Sequence, residues 1–150
     1  MVTERLAEVR DAASRFRRAF ESSNDLHTIT FDDFPHGACG DAAVLVGQYL
    51  EDCGLGIWMY WSGVAPAPKC SHGWVEQDGL IVDITADQYP DVEEAVIVTT
   101  DRSWHSHFDP APDHPANFGG FVGGASTLPS DYRILRERAD GTGAVGTQPA

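Results

Sequence analysis

Residues 71–85 read Ser-His-Gly-Trp-Val-Glu-Gln-Asp-Gly-Leu-Ile-Val-Asp-Ile-Thr and carry the most distinctive structural signal in the chain. Their centre, Asp78-Gly79, is the dipeptide most favoured in a two-residue hairpin turn of type I′, because both turn positions need a positive φ. Apolar and β-branched residues flank this turn on both sides. We therefore predict an antiparallel β-hairpin with strands at 71–77 and 80–85.

The short turn also sets which side chains of the hairpin share a face. In the register of a two-residue turn, His72 and Asp83 are diagonal neighbours on one face, and Trp74 lies opposite Asp83. Diagonal neighbours are ~7 to 8 Å apart at the backbone, close enough for a carboxylate to bind an imidazole and hold its tautomer. The hairpin is thus predicted to carry an oriented base, with Asp87 as the substitute for Asp83 if the register differs.

Two amphipathic helices are predicted upstream of the hairpin, at residues 3–21 and 39–53. Apolar residues recur at helical steps in the first, and they fall on one broad face of the second, which Gly54 ends. Cys39 therefore stands at a helix start, where free N–H groups and the positive end of the helix dipole favour a thiolate. The N–H of Cys39 is placed to donate to an oxyanion, whereas the sequence identifies no second donor.

The remaining segments complete one α+β domain of residues 1–139, in which N-terminal helices pack on an antiparallel β-sheet. Short apolar and β-branched runs predict further strands at 26–31, 57–61 and 95–99. Turn-forming residues and helical spacing predict the other segments, which are loops at 32–37, 64–69 and 101–127, a last helix at 129–139 and a disordered tail at 140–150.

The charge of the chain excludes several classes of partner. Lys and Arg number 10 against 23 Asp and Glu, a net charge of −13, so the protein repels nucleic acid and anionic membranes but attracts basic peptides. No apolar run approaches the ~18 residues of a membrane span, and the N-terminus does not read as a secretory signal. An odd number of cysteines fits a reducing compartment, so we expect a cytoplasmic protein, whose oligomeric state the sequence leaves open.

Three motifs together resemble the transglutaminase-like, papain-like superfamily of cysteine hydrolases. They read Phe34-Pro-His-Gly-Ala-Cys-Gly-Asp-Ala-Ala43, His72-Gly-Trp-Val-Glu76 and Gly79-Leu-Ile-Val-Asp-Ile-Thr85. The resemblance implies a papain-like or transglutaminase-like core with a catalytic triad. Cys39 would be the nucleophile, His72 the base and acid, and Asp83 the residue that orients His72.

This resemblance also implies a reaction. Cys39 attacks an amide or ester carbonyl, forms a thioester and releases the acyl group to water or to an amine, without a cofactor. The superfamily includes proteases, amidases, deamidases, crosslinking enzymes and acyltransferases, so the fold and triad do not select a substrate. The acidic surface favours a peptide or protein, and a basic one in particular. Two departures are the tight interval from His72 to Asp83 and the lack of an upstream Gln as second oxyanion donor.

Several other side chains are candidates for the site. Trp74 is expected to shield the imidazole from water, and Trp74, His36 and Trp104 are the candidate substrate-binding residues. Cys53 is expected to be a small core residue. Cys70 is interpreted either as a redox partner of the nucleophile or as a strand-edge thiol.

Two rival interpretations use the same residues. The set His36, Cys39, Cys70 and His72 has the composition of a tetrahedral zinc site, although its spacings are short and irregular for a zinc ribbon. A non-catalytic binding module on the same fold is the other alternative. A hyper-reactive thiol would exclude the binding module, and stoichiometric metal would support the zinc domain.

Overall fold

The computed structural model describes residues 2–121 and 124–144, which form an α+β fold of three α-helices and a five-stranded antiparallel sheet. The helices are α1 (Val2–Glu21), α2 (Cys39–Asp52) and α3 (Leu128–Ala144). The strands are β1 (Met59–Pro66), β2 (Lys69–Gln77), β3 (Leu80–Asp83), β4 (Ile97–Thr99) and β5 (Ala111–Pro115). They lie in the order β4-β3-β2-β1-β5. None of the helices in the described part of the chain has the length and apolar character of a membrane span.

The hairpin of β2 and β3 forms with the predicted turn, but its second strand ends at Asp83 rather than at the predicted Thr85. Asp78 and Gly79 have φ of 50° and 82°, the positive values that a type I′ turn needs. The strands pair in the predicted register, and their ladder ends at the pair of Val75 and Val82. Beyond that pair, β2 is bonded to β1 alone, so His72 lies on the part of β2 that β3 does not reach.

A second hairpin joins β1 to β2, where the sequence predicts a loop at 64–69. The two strands pair along their whole length, from Met59 to Pro66 of β1. Pro66 is the last residue of its strand and Pro68 lies in the turn, so neither proline removes a donor from the interior of the ladder. The loop prediction was wrong because these prolines were interpreted as breakers of both strands.

The segment 101–127, predicted to be a long loop, contains a short 3-10 helix (His105–Phe108) and strand β5. β5 lies at the edge of the sheet, which is where a strand tolerates proline. The absence of a side chain at Gly63 of β1 allows the backbone at Phe108 to approach the sheet closely, because a Cβ on Gly63 would overlap the carbonyl oxygen of Phe108. The contact brings the 3-10 helix against the sheet, beside the hairpin.

Residues 26–31 do not form the predicted strand, and a 3-10 helix at Ile29–Phe31 takes its place. The cause is Asp131 in the first turn of α3, whose carboxylate is fully buried. It accepts the backbone N–H of His27 at 2.9 Å and that of Thr28 at 2.7 Å. Both donors are therefore committed to a helix terminus rather than to a neighbouring strand.

The last helix, α3, is longer than the predicted 129–139 and packs along α1. It includes residues 140–144 of the predicted tail, and residues 145–150 of that tail lie outside the described residues. The helices pack on one face of the sheet, where the main buried cluster lies. A smaller cluster lies on the other face, because successive residues of a strand point to opposite sides; it comprises Ala65, Trp74, Ile81 and Phe108.

A buried arginine of α1 ties the segment after β3 to the helices. The Arg17 guanidinium donates two hydrogen bonds to the Asp87 carboxylate, at 2.7 and 2.8 Å. It also donates to the carbonyl oxygens of Ile84 and Ala95, and it stacks over the Phe34 ring at 4.9 Å. Arg17 thus holds together the segments that lead into α2 and out of β3.

Candidate active site

Cys39 is the first residue of α2 and is half-buried. Ala38 precedes it as N-cap and makes no side-chain capping bond, so the first N–H groups of α2 have no cap from that side chain. Asp41, in the first turn, is a negative charge close to the thiol. Its carboxylate accepts a hydrogen bond from the Thr30 hydroxyl at 2.6 Å, which gives that charge a partner of its own.

His72 and Asp83 form a buried hydrogen-bonded pair. Nε2 of His72 lies 2.7 Å from Oδ2 of Asp83, and both residues are only 1% exposed. The other oxygen, Oδ1, accepts the backbone N–H of Thr85 at 3.0 Å. The contact that the hairpin register implies is therefore present, and it occupies one of the two nitrogens of the imidazole.

The electrostatics of this pair favour a charged imidazole. Burial disfavours the cation, but the charge and hydrogen bond of Asp83, together with the neighbouring Cys39 thiol, raise the pKa of His72 to about 9. Burial would raise the pKa of Asp83, yet the charge of His72 and the hydrogen bonds from His105 and His72 hold it well below its usual range. His72 is thus a cation and Asp83 an anion at neutral pH.

The thiol of Cys39 lies next to the His72 ring and contributes to the raised pKa of that imidazole. Because Asp83 occupies Nε2, the nitrogen left for this contact is Nδ1. The Gln88 amide also lies near Nδ1, at 3.4 Å, and donates to the carbonyl oxygen of Thr85 at 3.0 Å. Cys39, His72 and Asp83, the predicted catalytic residues, therefore lie together in the structure.

A second histidine, not singled out by the sequence, binds the same carboxylate. Nε2 of His105 lies 2.7 Å from Oδ2 of Asp83, and His105 is 1% exposed. It comes from the 3-10 helix within the predicted loop. The mixed run of aromatic and imidazole residues at 104–108 marks this segment, but nothing in it favours His105 over His107, which is exposed.

Aromatic rings enclose the imidazole of His72. Trp74, Tyr89, Trp104 and Phe108 have ring centroids between 5.3 and 5.6 Å from it. A low-polarity wall of this kind keeps water from the ion pair and strengthens its electrostatics. The site therefore has one apolar side, on the sheet face opposite the helices.

The predicted substrate-binding residues have different environments. Trp74 is 1% exposed, and its indole N–H donates to Glu76 at 2.8 Å. It therefore packs against the imidazole and offers no surface to a substrate. Trp104 is half-buried and donates to Asp91 at 2.9 Å. His36 is exposed in the loop before α2. Of the three, Trp104 and His36 retain surface that a substrate can reach.

The hydroxyl of Tyr60 is a further polar group beside Cys39. The Tyr60 ring lies against Gly73, where a Cβ would overlap it, and a Cβ on Gly40 would be 3.5 Å from the hydroxyl. Burial and the adjacent Cys39 raise the pKa of Tyr60 to about 12, so the hydroxyl keeps its proton at neutral pH. Sequence reasoning missed Tyr60 because its position depends on the pairing of β1 with β2.

One expectation about the cysteines is corrected, and the alternative aspartate is not needed, because the predicted register forms. Cys53 is exposed rather than buried, because α2 ends at Asp52 and Cys53 is its C-cap residue. Asp87 does not replace Asp83, since its carboxylate is bound by Arg17. All three cysteines are free thiols.

The structure also bears on the zinc interpretation. Within the described residues, the side chains that could share a metal ion are His72, Asp83 and His105. The rival set of His36, Cys39, Cys70 and His72 is not assembled as a cluster there. The Cys₂His₂ site is therefore not formed by these residues.

No protein-family model, curated protein or solved structure matches this chain. The transglutaminase-like, papain-like relationship accordingly stays a prediction from residues 34–85.

Proposed function

We propose that this protein is a thiol hydrolase or acyltransferase of the transglutaminase-like, papain-like type, acting on an amide bond of a peptide or protein. The observation that carries the proposal is the buried, hydrogen-bonded pair of His72 and Asp83, next to Cys39 at the start of α2. A thiol at a helix start beside a protonated imidazole is the arrangement that activates a cysteine nucleophile.

The proposed reaction has two stages. The Cys39 thiolate adds to the carbonyl carbon, and His72 gives its proton to the leaving amine as the tetrahedral intermediate collapses to a thioester. Water or a second amine then adds to the thioester, with His72 accepting its proton, and the thiolate leaves. Asp83 stays ionised and stabilises the imidazolium throughout. No cofactor takes part in either stage.

Two donors are proposed for the oxyanion of the tetrahedral intermediate. The first is the backbone N–H of Cys39, which has no partner within α2 because it belongs to the first turn. The second is the hydroxyl of Tyr60, which lies beside Gly40 and keeps its proton. Tyr60 thereby fills the role for which the sequence identifies no residue.

The substrate and compartment are proposed from charge and from the thiols. The net charge of −13 attracts basic peptides and repels nucleic acid and anionic membranes. Three free cysteines, one of them proposed as the nucleophile, suit a reducing compartment such as the cytoplasm.

The first test is the pH dependence of alkylation by iodoacetamide, with mass spectrometry to assign each modified cysteine. We expect Cys39 at about pH 6 to react more than about tenfold faster than the exposed Cys53, because His72 stays cationic and pairs with the thiolate. This advantage should disappear in His72→Gln. The wild-type rate should change again near pH 9, where His72 loses its proton.

Cys53 is the internal reference in this experiment, since both thiols are in one molecule and meet the same reagent. Labelling of Cys39 no faster than Cys53, and unchanged in a folded His72→Gln variant, would contradict the enzyme and leave a non-catalytic binding module. Stoichiometric zinc in the purified protein, with unfolding by a chelator, would point instead to a metal-dependent domain.

Tyr60→Phe separates the oxyanion donor from the thiol pair. We expect turnover of p-nitrophenyl acetate to fall about 10²-fold, because one donor to the tetrahedral intermediate is lost. Alkylation of Cys39 by iodoacetamide should keep its wild-type rate, since that reaction forms no oxyanion. A proportional fall in both rates would show that Tyr60 only supports the local structure.

A further inference from the structure

The carboxylate of Asp83 is shared by two imidazoles. Both His72 and His105 place Nε2 at 2.7 Å from the same oxygen, Oδ2, and all three residues are 1% exposed. Thr85 donates its N–H to Oδ1. Asp83 is therefore held by three N–H donors, two of which compete for one oxygen.

The other nitrogen of His105 defines its protonation. Among the residues that the structure describes, none offers a hydrogen-bond partner to the buried Nδ1 of His105. A charged ring would leave an N–H of a cation buried and unpaired, which costs far more than an unpaired lone pair. Trp74 and Trp104 pack against the ring with centroids at 4.5 and 4.9 Å. His105 is therefore neutral, with its single proton on Nε2 and directed at Asp83.

The same three side chains also have the composition of a metal site. Their N–O separations of 2.7 Å are those of charge-assisted hydrogen bonds. Ligand atoms that share one zinc ion at ~2.0 to 2.1 Å each in a tetrahedral site are more than ~3 Å apart. The geometry thus favours protons over a metal between these groups.

We propose that His105 is a positioning residue, a neutral second imidazole that shares Asp83 with His72 and divides the charge of the carboxylate between the two rings. This role rests on the proposed function of the triad. The bond from His105 fixes the orientation of Asp83, and it reduces the stabilisation that Asp83, bonded at Nε2, gives to the His72 cation. His72 can then release the proton on its other nitrogen, Nδ1, to a leaving amine more readily than in a one-to-one ion pair.

The test compares two substitutions of matched size. A glutamine amide can place an N–H near the position of Nε2, so His105→Gln keeps the donor, whereas His105→Leu removes it. In His105→Leu we expect the upper limb of the pH profile of Cys39 alkylation to move up by about one pH unit, because Asp83 then acts on His72 alone. Turnover of p-nitrophenyl acetate should fall about tenfold or more. In His105→Gln, the upper limb of the pH profile of Cys39 alkylation should stay at its wild-type pH.

Equal pH limbs in wild type and in a folded His105→Leu variant would overturn the proposal and leave His105 as packing. Nitrogen-15 NMR of the wild-type imidazoles gives a second measurement that needs no variant. We expect His105 to show a protonated Nε2 and an unprotonated Nδ1. A proton on Nδ1 would contradict the assignment, even if Cys39 proved to be a fast-reacting thiol. Slow labelling of wild-type Cys39 would instead contradict the proposed function and not the tautomer.

Discussion

Asp83→Asn should lower the turnover of p-nitrophenyl acetate at pH 7 by about 10³- to 10⁴-fold, the scale found when a triad aspartate is replaced by its amide. The carboxylate accepts from both His72 and His105, and an asparagine offers only one oxygen and introduces an NH₂ group in its place. His72 would lose the charge that raises its pKa, while the burial that lowers it would remain. The imidazole should then be neutral at pH 7.

The measurement is the turnover rate together with the pH profile of Cys39 alkylation. Fast labelling near pH 6 should vanish in Asp83→Asn, since no cation pairs with the thiolate. Cys39→Ser serves as the matched control, because it removes the nucleophile and leaves the hydrogen bonds of Asp83 in place. Retention of both activities by a folded Asp83→Asn protein would exclude Asp83 from the mechanism.

The same pair makes stability depend on pH, with a sign that differs for its two members. The interactions that raise the pKa of His72 stabilise the folded state. Their contribution is complete below about pH 6.5 and is lost as the pH rises toward about 9. The lowered pKa of Asp83 stabilises the fold above its ordinary value of 3.8, and this contribution is lost on acidification. The free energy of unfolding, measured with urea, should therefore decline from pH 6.5 to 9 in the wild type. The decline should be smaller in Asp83→Asn.

Arg17→Met should lower the free energy of unfolding by about 3 to 5 kcal/mol, the range for breaking a buried ion pair from one side. The Arg17 side chain is 7% exposed and that of Asp87 is 18% exposed, so water cannot replace the lost partner freely. The carbonyl oxygens of Ile84 and Ala95 also lose their donor. The loss is large because one guanidinium bonds three acceptor groups, the Asp87 carboxylate and the carbonyl oxygens of Ile84 and Ala95.

Chemical denaturation with urea measures this effect. Arg136→Met is the control, since Arg136 is 48% exposed where it pairs with Asp52, and its loss should cost less than about 1 kcal/mol. Adding Asp87→Leu to Arg17→Met should recover part of the stability, because the other carboxylate that Arg17 binds, that of Glu21, is 47% exposed and no buried charge is then left without a partner. If Arg17→Met and Arg136→Met lowered the free energy of unfolding equally, the buried pair of Arg17 and Asp87 would contribute no more to stability than an exposed pair.

Arg17→Met should also weaken the site, although Arg17 touches neither Cys39 nor His72 in the contacts described. Asp87 lies one residue before Gln88, which contacts the His72 ring, and Ile84 follows Asp83 directly. Movement of this segment would displace both groups. Arg17 therefore links the stability of the helical layer to the geometry of the triad.

Local sequence was sufficient for the parts of the site that one hairpin and one helix start define. A two-residue turn at Asp78-Gly79 allows one register, and that register alone places His72 and Asp83 on the same face. The position of Cys39 follows from the apolar periodicity of α2 and from the turn-forming Pro35 and Gly37 that precede it. In both cases the determining residues are close together in the chain.

The remaining features depend on contacts between distant segments, which local propensity does not encode. His105 reaches Asp83 across 22 residues, and Asp131 takes the backbone donors at His27 across 104 residues, so a loop became part of the site and a predicted strand was lost. Prolines in β1 and β5 are tolerated only because they lie at a strand end or on the sheet edge. The sequence by itself thus determined the helix-start position of Cys39 and the pairing of His72 with Asp83. Tertiary packing alone decided which second histidine shares the carboxylate, because burial and backbone bonding outweigh the preferences of short segments.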